Sequence, residues 1–198
     1  SSTSIKCHPV EYHAMTAVEA ALEIRKKISG IDDIDSITLE TFKVSYQIIG
    51  GEKEKWLPQT RETADHSLPY IVAATIIDGT IGPDQFRVEK FADPQISALL
   101  GKMKVIENPQ LTARYPQEIP NAIQINLKDG RSIRTESAIP PGNFRKQYDE
   151  KDVALKFKAS ASHILSEQRS KELLNRAFNF EEESDLPQFL SLLEASVS

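Results

Sequence analysis

The sequence is poor in the residues that build disulfide frameworks and cysteine-rich metal sites. Its 198 residues include a single cysteine, Cys7, so an internal disulfide is excluded. No apolar run approaches the roughly 20 residues that a membrane-spanning helix needs. One cysteine fits a reducing compartment, and we therefore expect a cytoplasmic protein, or a mitochondrial one in a eukaryote.

Positive charge is also in deficit. Lysine and arginine total 24 against 29 aspartate and glutamate residues, which gives a formal net charge of −5. A broad surface for nucleic acid or an anionic membrane is therefore not expected, although local cationic pockets remain compatible with this composition. The chain is long enough for one or two domains with a sizeable core, and it shows no repeat or low-complexity segment.

Histidine is scarce, and two of the four histidines stand just before the first predicted helix. His8, Glu11 and His13 carry side chains that bind metals, but their spacing matches no standard metal-binding pattern. We therefore predict no metal site.

One stretch, residues 56–79, organises the rest of the chain. Its first half is loop-like and holds Arg61, Glu62, Asp65 and His66 close together along the sequence. Because a titratable histidine, a cation and the phenol of Tyr70 are gathered near the start of the helix that follows, this segment is a candidate site.

The second half of that stretch predicts an apolar helix that begins after Ser67 and stops at Gly79. Serine is a favoured N-cap, Pro69 is tolerated in the first turn, and glycine is a common stop. Helix N-termini suit anionic ligands, since they carry partial positive charge and free N–H groups. Two interpretations stay open: the polar cluster is a site at the mouth of the helix, or it is the solvated loop before a capped core helix.

The pattern up to residue 142 predicts a two-layer α+β fold. Asp129-Gly130 stands between two alternating runs, which is the strongest short signal for a β-hairpin. We expect the hairpin to share one sheet with the strand over residues 36–42, and the helices that start near Ala14 and Leu68 to cover one face of that sheet. The predicted helices cover residues 14–28, 43–49, 68–78, 83–88 and 94–100, the strands cover 36–42, 103–107, 122–127 and 132–136, and residues 108–120 are predicted to be irregular.

Beyond residue 142 the pattern changes to helices alone. Asp149, Ser166 and Asp185 are each suitable N-caps for an amphipathic helix. The acidic run Glu181-Glu182-Glu183 is interpreted as a solvated cluster that starts a helix. We therefore predict an α+β domain over residues 5–142 and an all-helical C-terminal tail over residues 143–198.

The central motif resembles the signature of a known family. Trp56-x-Pro-x-Thr-Arg-Glu-Thr-Ala-Asp-His-Ser-Leu-Pro-Tyr70, followed by a helix that ends in Asp78-Gly79, is similar to the 2-methylcitrate dehydratase (MmgE/PrpD) family. The segment from Pro9 to Ala20 resembles the family segment that opens its second domain. The similarity covers roughly residues 5–142, and the helical tail more loosely.

The resemblance implies an architecture in which an α+β lid closes on a large helical domain. Family members build that helical domain mostly from their N-terminal half, and their last helices return to it. This chain then corresponds to the lid plus the C-terminal helices, and its partners would be the missing N-terminal helical domain of the same protein and a second copy in a dimer. Without that domain we expect the isolated chain to be inactive.

The implied reaction is loss of water from a β-hydroxy tricarboxylate, from 2-methylcitrate to 2-methyl-cis-aconitate in propionate catabolism. It needs a base, an acid and cations that hold the carboxylates, and the resemblance implies no cofactor, no metal and no iron–sulfur cluster. The catalytic candidates are His66, Tyr46 and Tyr70, and the substrate-binding candidates are Arg61, His13 and Lys6.

Three of these candidates have an equally simple structural interpretation. His66 would bond to Asp65 or to the backbone, Arg61 would pair with Glu62 or Asp65, and Tyr70 would be a core aromatic with a satisfied hydroxyl.

Two departures from the family pattern bear on the function. Met15 stands where several branches, decarboxylases among them, have a histidine, which argues against a decarboxylase. The Pro140–Arg145 loop differs from the usual Gly-His-Pro-x-Asn-Pro-like turn, so the resemblance assigns it no role. The alternatives are another branch of the family, such as an epimerase or a cis-aconitate decarboxylase, and a non-catalytic α+β binding module.

Overall fold

The computed structural model describes residues 3–194, apart from the side chains of residues 53 and 54. Backbone contacts divide the chain into two compact units, Ser1–Gln147 and Tyr148–Ser198. The first contains one mixed four-stranded sheet with helices, and the described part of the second contains helices and no strand. The α+β class is confirmed, while the boundary between the units follows Gln147 rather than residue 142.

The first unit holds most of the secondary structure. Its helices are α1 (Met15–Arg25), α2 (Lys43–Ser45), α3 (Arg61–Asp65), α4 (Leu68–Asp78), α5 (Val88–Phe91), α6 (Pro94–Leu100) and α7 (Pro109–Thr112). Its strands are β1 (Ile34–Thr41), β2 (Met103–Glu107), β3 (Asn121–Leu127) and β4 (Ser132–Ser137). A π-helical turn follows α2 at Tyr46–Gly50, and 3₁₀ turns lie at Tyr12–Ala14, Ile31–Asp33, Lys53–Trp56 and Pro83–Phe86.

The sheet has the strand order β2-β1-β3-β4, with β1 parallel to β2 and antiparallel to β3. Strands β3 and β4 form the hairpin that Asp129-Gly130 predicts. Gly130 has a φ of 89°, which favours glycine, and a carboxylate oxygen of Asp129 accepts from the Arg131 N–H at 2.9 Å. The predicted hairpin and its place beside β1 are therefore confirmed.

One face of the sheet is apolar and lies under two helices. Helix α1 packs on β3 and β4, and α4 packs on α1 and β2. Burying each large aliphatic side chain there contributes about 1.5–3 kcal/mol to folding. The opposite face is polar, with Arg134 Nε 3.3 Å from a carboxylate oxygen of Glu40. The two-layer packing that the sequence predicts is confirmed, and the central buried side chains of the covered face are Ile37, Leu39, Ile123 and Ile125.

Helix α4 is the centre of this core, because it is apolar on every side rather than on one stripe. Its residues from Leu68 to Ile76 are all buried. The hydroxyl oxygen of Ser67 accepts from the N–H of Tyr70 at 3.2 Å, and Gly79 ends the helix with a φ of 69°. Both predicted caps of this helix are confirmed.

Two local predictions need correction. The residues from 108 to 120 are not wholly irregular, because Asn108 caps α7 by accepting from the N–H of Gln110 at 2.9 Å. The first helix is shorter than predicted, since α1 ends at Arg25 and a turn follows.

The second unit consists of α8 (Glu150–Ala161), α9 (Glu167–Phe178) and α10 (Leu186–Ser191), which begin after the predicted caps. The acidic run is not simply a solvated helix start, because Glu183 accepts from Arg176 Nε at 2.6 Å. The family resemblance leads us to expect exposed apolar faces around Phe157, Phe178 and Phe189. For two of them this expectation is wrong, because Phe157 and Phe189 pack on a small cluster formed by Leu165, Leu173 and Leu192.

Phe178 remains 43% exposed, as expected. Among residues 3–194, no helix is long and apolar enough to cross a membrane.

Candidate active-site surface

Two segments that are distant in the sequence meet beside the start of α1. The backbone N–H of Glu11 donates to the carbonyl oxygen of Asp65, 2.9 Å away. A carboxylate oxygen of Glu11 also accepts from the N–H of His13 at 2.7 Å, which caps the turn leading into α1. These bonds place His13 and His66 on adjoining segments, each with a carboxylate neighbour.

The first imidazole–carboxylate pair is His66 with Asp65. Nδ1 of His66 lies 2.5 Å from a carboxylate oxygen of Asp65 and 3.2 Å from the carbonyl oxygen of Glu62. Both neighbours are acceptors, so Nδ1 carries the proton and the lone pair of the neutral ring is on Nε2. The His66 side chain is 48% exposed, which leaves it open to a ligand.

The second pair is His13 with Glu11. Nδ1 of His13 lies 3.0 Å from a carboxylate oxygen of Glu11, and both side chains are 14% exposed. The ring of His13 packs edge-on against Phe42, with ring centroids 5.2 Å apart. Burial acts to raise the pKa of Glu11, but the hydrogen bonds from His13 and the charges of His13 and His66 outweigh it and lower that pKa. Glu11 is therefore an anion next to His13, and the charge of His66 also favours its ionised form.

Arg61 begins helix α3, which Thr60 and Thr63 cap through reciprocal bonds between side chain and backbone. Its side chain is exposed, and within residues 3–194 it forms no ion pair with Glu62, Asp65 or any other carboxylate. The structural pairing considered from the sequence is thus not observed. An exposed guanidinium next to a helix start can bind a carboxylate with two hydrogen bonds.

The structure does not bond Lys6 or Tyr46 to either histidine pair in the described part of the chain. Lys6 is exposed, and in the described part of the chain its side chain has no hydrogen bond to either pair. Tyr46 is half-buried in the π-helical turn, where its ring lies against Gly51. Neither residue is joined to His13 or His66, so both stay predictions as site residues.

Tyr70 is placed in the core, not on the open surface. Its side chain is 1% exposed, and its hydroxyl donates to the carbonyl oxygen of Gln85 at 2.6 Å. Burial and the charges of Asp78 and Asp93 raise the pKa of Tyr70. Since the hydroxyl is occupied and sealed from solvent, we leave Tyr70 out of the candidate site.

A cavity of about 250 Å³ adjoins the same segment. Tyr12, which stands between Glu11 and His13 in the sequence, lines it together with Asn143, Phe144 and Arg145. The Asn143 amide nitrogen lies 3.4 Å from the hydroxyl of Tyr12. The loop after β4, which departs from the family pattern, therefore packs against the segment that carries His13.

The sequence suggested a bond from His66 to Asp65 or to the backbone, and the structure has both contacts. It did not pair His13 with Glu11, although the two residues are only two positions apart. The bond between Glu11 and Asp65 joins segments whose proximity no local pattern reveals.

This α+β unit, with its two histidine–carboxylate pairs, matches a known family of protein domains. The chain matches the MmgE/PrpD C-terminal domain over residues 8–179, and it is a member of the MmgE/PrpD family. The expected family is thereby confirmed.

Curated relatives have two different activities in their names. The chain is 33% identical to the mitochondrial 2-methylcitrate dehydratase of Yarrowia lipolytica over 72% of its own length and 28% of that protein. It is 31% identical to the 2-methylcitrate dehydratase of Salmonella typhimurium over 71% of its own length and 30% of that protein. It is also 26% identical to the cis-aconitate decarboxylase of Mus musculus over 96% and 39%. The chain thus spans well under half the length of these relatives.

Proposed function

We propose that this chain supplies one wall of a lyase active site that eliminates water from a β-hydroxy tricarboxylate, with 2-methylcitrate as the substrate. The observation that carries the proposal is the adjacency of the two imidazole–carboxylate pairs, His66 with Asp65 and His13 with Glu11. The names of the 2-methylcitrate dehydratases among its relatives support the choice of substrate.

In this proposal His66 transfers the proton. Asp65 holds the Nδ1 proton, so Nε2 accepts the proton from the carbon next to the hydroxyl-bearing carbon. The C–H electron pair forms the new double bond, the C–O bond breaks, and the departing hydroxide takes a proton from an acid and leaves as water. Arg61 binds a substrate carboxylate, since its guanidinium is exposed and unpaired among the described residues.

The opposite wall of the cleft is proposed to come from a helical domain of the same polypeptide. The chain covers 25% to 40% of the lengths of its relatives, and the match is to a domain described as C-terminal. An elimination of this kind depends on an acid and a base held on opposite sides of a closed, water-poor cleft.

A cis-aconitate decarboxylase is the second candidate, because the relative with that name aligns over 96% of the chain. Met15 is 1% exposed in the core, so this position does not present its side chain to a substrate at the surface. The departure at Met15 therefore does not distinguish between the two reactions.

Turnover in the longest natural form of the protein tests the proposal. Incubation with 2-methylcitrate should produce the absorbance of a conjugated alkene, and His66→Gln should lower kcat by about 100-fold or more if His66 transfers a proton. The matched control is His163→Gln, which should leave kcat unchanged. His163 is exposed and lies in the turn that follows α8, in the second unit.

The alternatives give different results in the same experiment. Release of carbon dioxide from cis-aconitate, without dehydration of 2-methylcitrate, would favour the decarboxylase. Binding of tricarboxylates without turnover would favour a non-catalytic module. If the 198-residue chain alone reaches a kcat on the order of 10 per second, a typical enzyme value, the proposal of a half-site is wrong.

A further inference from the structure

A second cluster of chemically active side chains lies just upstream of the histidine pairs. The thiol of Cys7, the imidazole of His8 and the carboxylate of Glu19 each offer one atom that binds metals, and these atoms all lie within 4.8 Å of one another. Cys7 and His8 belong to the segment before α1, and Glu19 is on α1 itself. All three side chains are only partly exposed.

We propose that Cys7, His8 and Glu19 form a binding site for a divalent transition-metal ion, with Zn²⁺ as the expected occupant. A thiolate, an imidazole nitrogen and a carboxylate oxygen are the three ligand types that Zn²⁺ takes in proteins. The mixture of one soft sulfur with two harder donors disfavours Mg²⁺ and Ca²⁺, which prefer oxygen ligands throughout.

The present spacing is close to what coordination requires. Nε2 of His8 lies 2.7 Å from a carboxylate oxygen of Glu19. Around a tetrahedral Zn²⁺, with metal–nitrogen and metal–oxygen distances near 2.1 Å, two such ligand atoms stand about 3.4 Å apart. A widening of about 0.7 Å would therefore admit the ion between the two groups.

The surroundings favour a site that is fixed on one side and open on the other. Glu19 is carried by α1, whose neighbouring residues Val18 and Ala20 are buried against the sheet, so its backbone is held in place. Cys7 packs against the main hydrophobic core. The side chains of His8 and Glu19 remain 17% and 26% exposed, which leaves room for water as a fourth ligand.

This cluster is separate from the proposed lyase chemistry, because it includes neither His13 nor His66. It also differs from the set that the sequence analysis considered, since Cys7 and Glu19 replace Glu11 and His13. The ion would link the segment that carries Cys7 and His8 to Glu19 on helix α1.

Cobalt titration of the 198-residue chain, stripped with a chelator, tests the site. Co²⁺ should produce a thiolate-to-cobalt charge-transfer band, and Zn²⁺ should abolish it by displacement. Cys7→Ser should remove the band, and His8→Gln and Glu19→Gln should each weaken binding at least tenfold, because the loss of even an outer-shell partner costs about 10- to 100-fold. His163→Gln is the matched control and should bind Co²⁺ as the unsubstituted chain does.

The proposal is overturned if no charge-transfer band forms, if the band survives in Cys7→Ser, or if His8→Gln and Glu19→Gln bind as tightly as the unsubstituted chain. Circular dichroism shows whether each variant is folded. If Cys7→Ser does not fold, alkylation of Cys7 by iodoacetamide in the unsubstituted chain replaces that comparison. Zn²⁺ should protect the thiol there and protect it less in Glu19→Gln, and equal alkylation with and without Zn²⁺ would also reject the site.

Discussion

Glu11 and Asp65 are joined through their backbones, the N–H of Glu11 donating to the carbonyl oxygen of Asp65 at 2.9 Å. The bond links the turn before α1 to the end of α3, and each of these segments carries one histidine beside one carboxylate. In the proposed lyase, a substrate at His66 would therefore lie beside the segment of His13 as well.

The carboxylate of Asp65 should act as a positioning residue for His66. In the longest natural form of the protein, Asp65→Asn leaves an amide that can present its nitrogen to Nδ1 and favour the wrong tautomer. We expect kcat to fall by about 10² to 10⁴-fold while KM changes little. The pH profile of kcat should also shift, which a purely structural role would not cause. Glu62→Gln is the control, since only the backbone oxygen of Glu62 contacts His66.

The pairing of Glu11 should make stability depend on pH. Because the folded protein lowers the pKa of Glu11 below its ordinary value of about 4.5, the ionised form stabilises the fold above that value. This stabilisation is lost as the pH falls through the lowered pKa. In urea unfolding, Glu11→Gln should therefore be less stable than the parent chain at pH 7, and the difference should shrink in acid. A difference that grew between pH 5 and pH 3 would contradict the assignment.

The hydroxyl of Tyr70 should matter for stability and not for turnover. Tyr70→Phe removes the donor to the Gln85 carbonyl and leaves a buried acceptor unpaired, which should cost about 1–3 kcal/mol. Denaturant unfolding of the 198-residue chain measures this loss. In the longest natural form, kcat should stay within a few-fold of the parent value. A large loss of kcat with unchanged stability would restore Tyr70 as a catalytic residue.

Elements that depend on local signals could be predicted from the sequence, whereas features that depend on long-range contacts could not. The hairpin was predictable because Asp129-Gly130 satisfies a conformational demand within the turn itself, where Gly130 has positive φ. Helix α4 was predictable for the same reason, since Ser67 and Gly79 lie at its two ends. The same helical spacing could not tell whether Tyr70 faces a substrate or the core, because Phe86 and Phe91, which pack beside it, come from later in the chain.

The site depended more on tertiary contacts than the fold did. His13 and His66 each lie within two residues of their carboxylate partners, but the contact between the two pairs required two distant segments to meet. Glu19 was overlooked for the same reason, because a helix brings it back to His8 across 11 positions of sequence. The sequence also could not predict that Arg61 is exposed and unpaired among the described residues, because neighbouring carboxylates in a sequence do not reveal whether an ion pair forms.

Arg61 should contribute to substrate binding without contributing to stability. Its exposed side chain forms no ion pair among residues 3–194, so Arg61→Ala should change the free energy of unfolding by no more than about 0.5 kcal/mol. A bidentate guanidinium–carboxylate contact is stronger than a neutral hydrogen bond, and its loss should raise KM for the tricarboxylate about tenfold or more in the longest natural form. Arg61→Lys should recover only part of this loss, because an ammonium keeps the charge but cannot form the planar two-bond contact. Arg87→Ala serves as the matched control, since Arg87 is an exposed arginine 2.7 Å from Asp84 and outside the candidate site. Equal KM values for Arg61→Ala, Arg87→Ala and the parent protein would show that Arg61 does not bind the substrate.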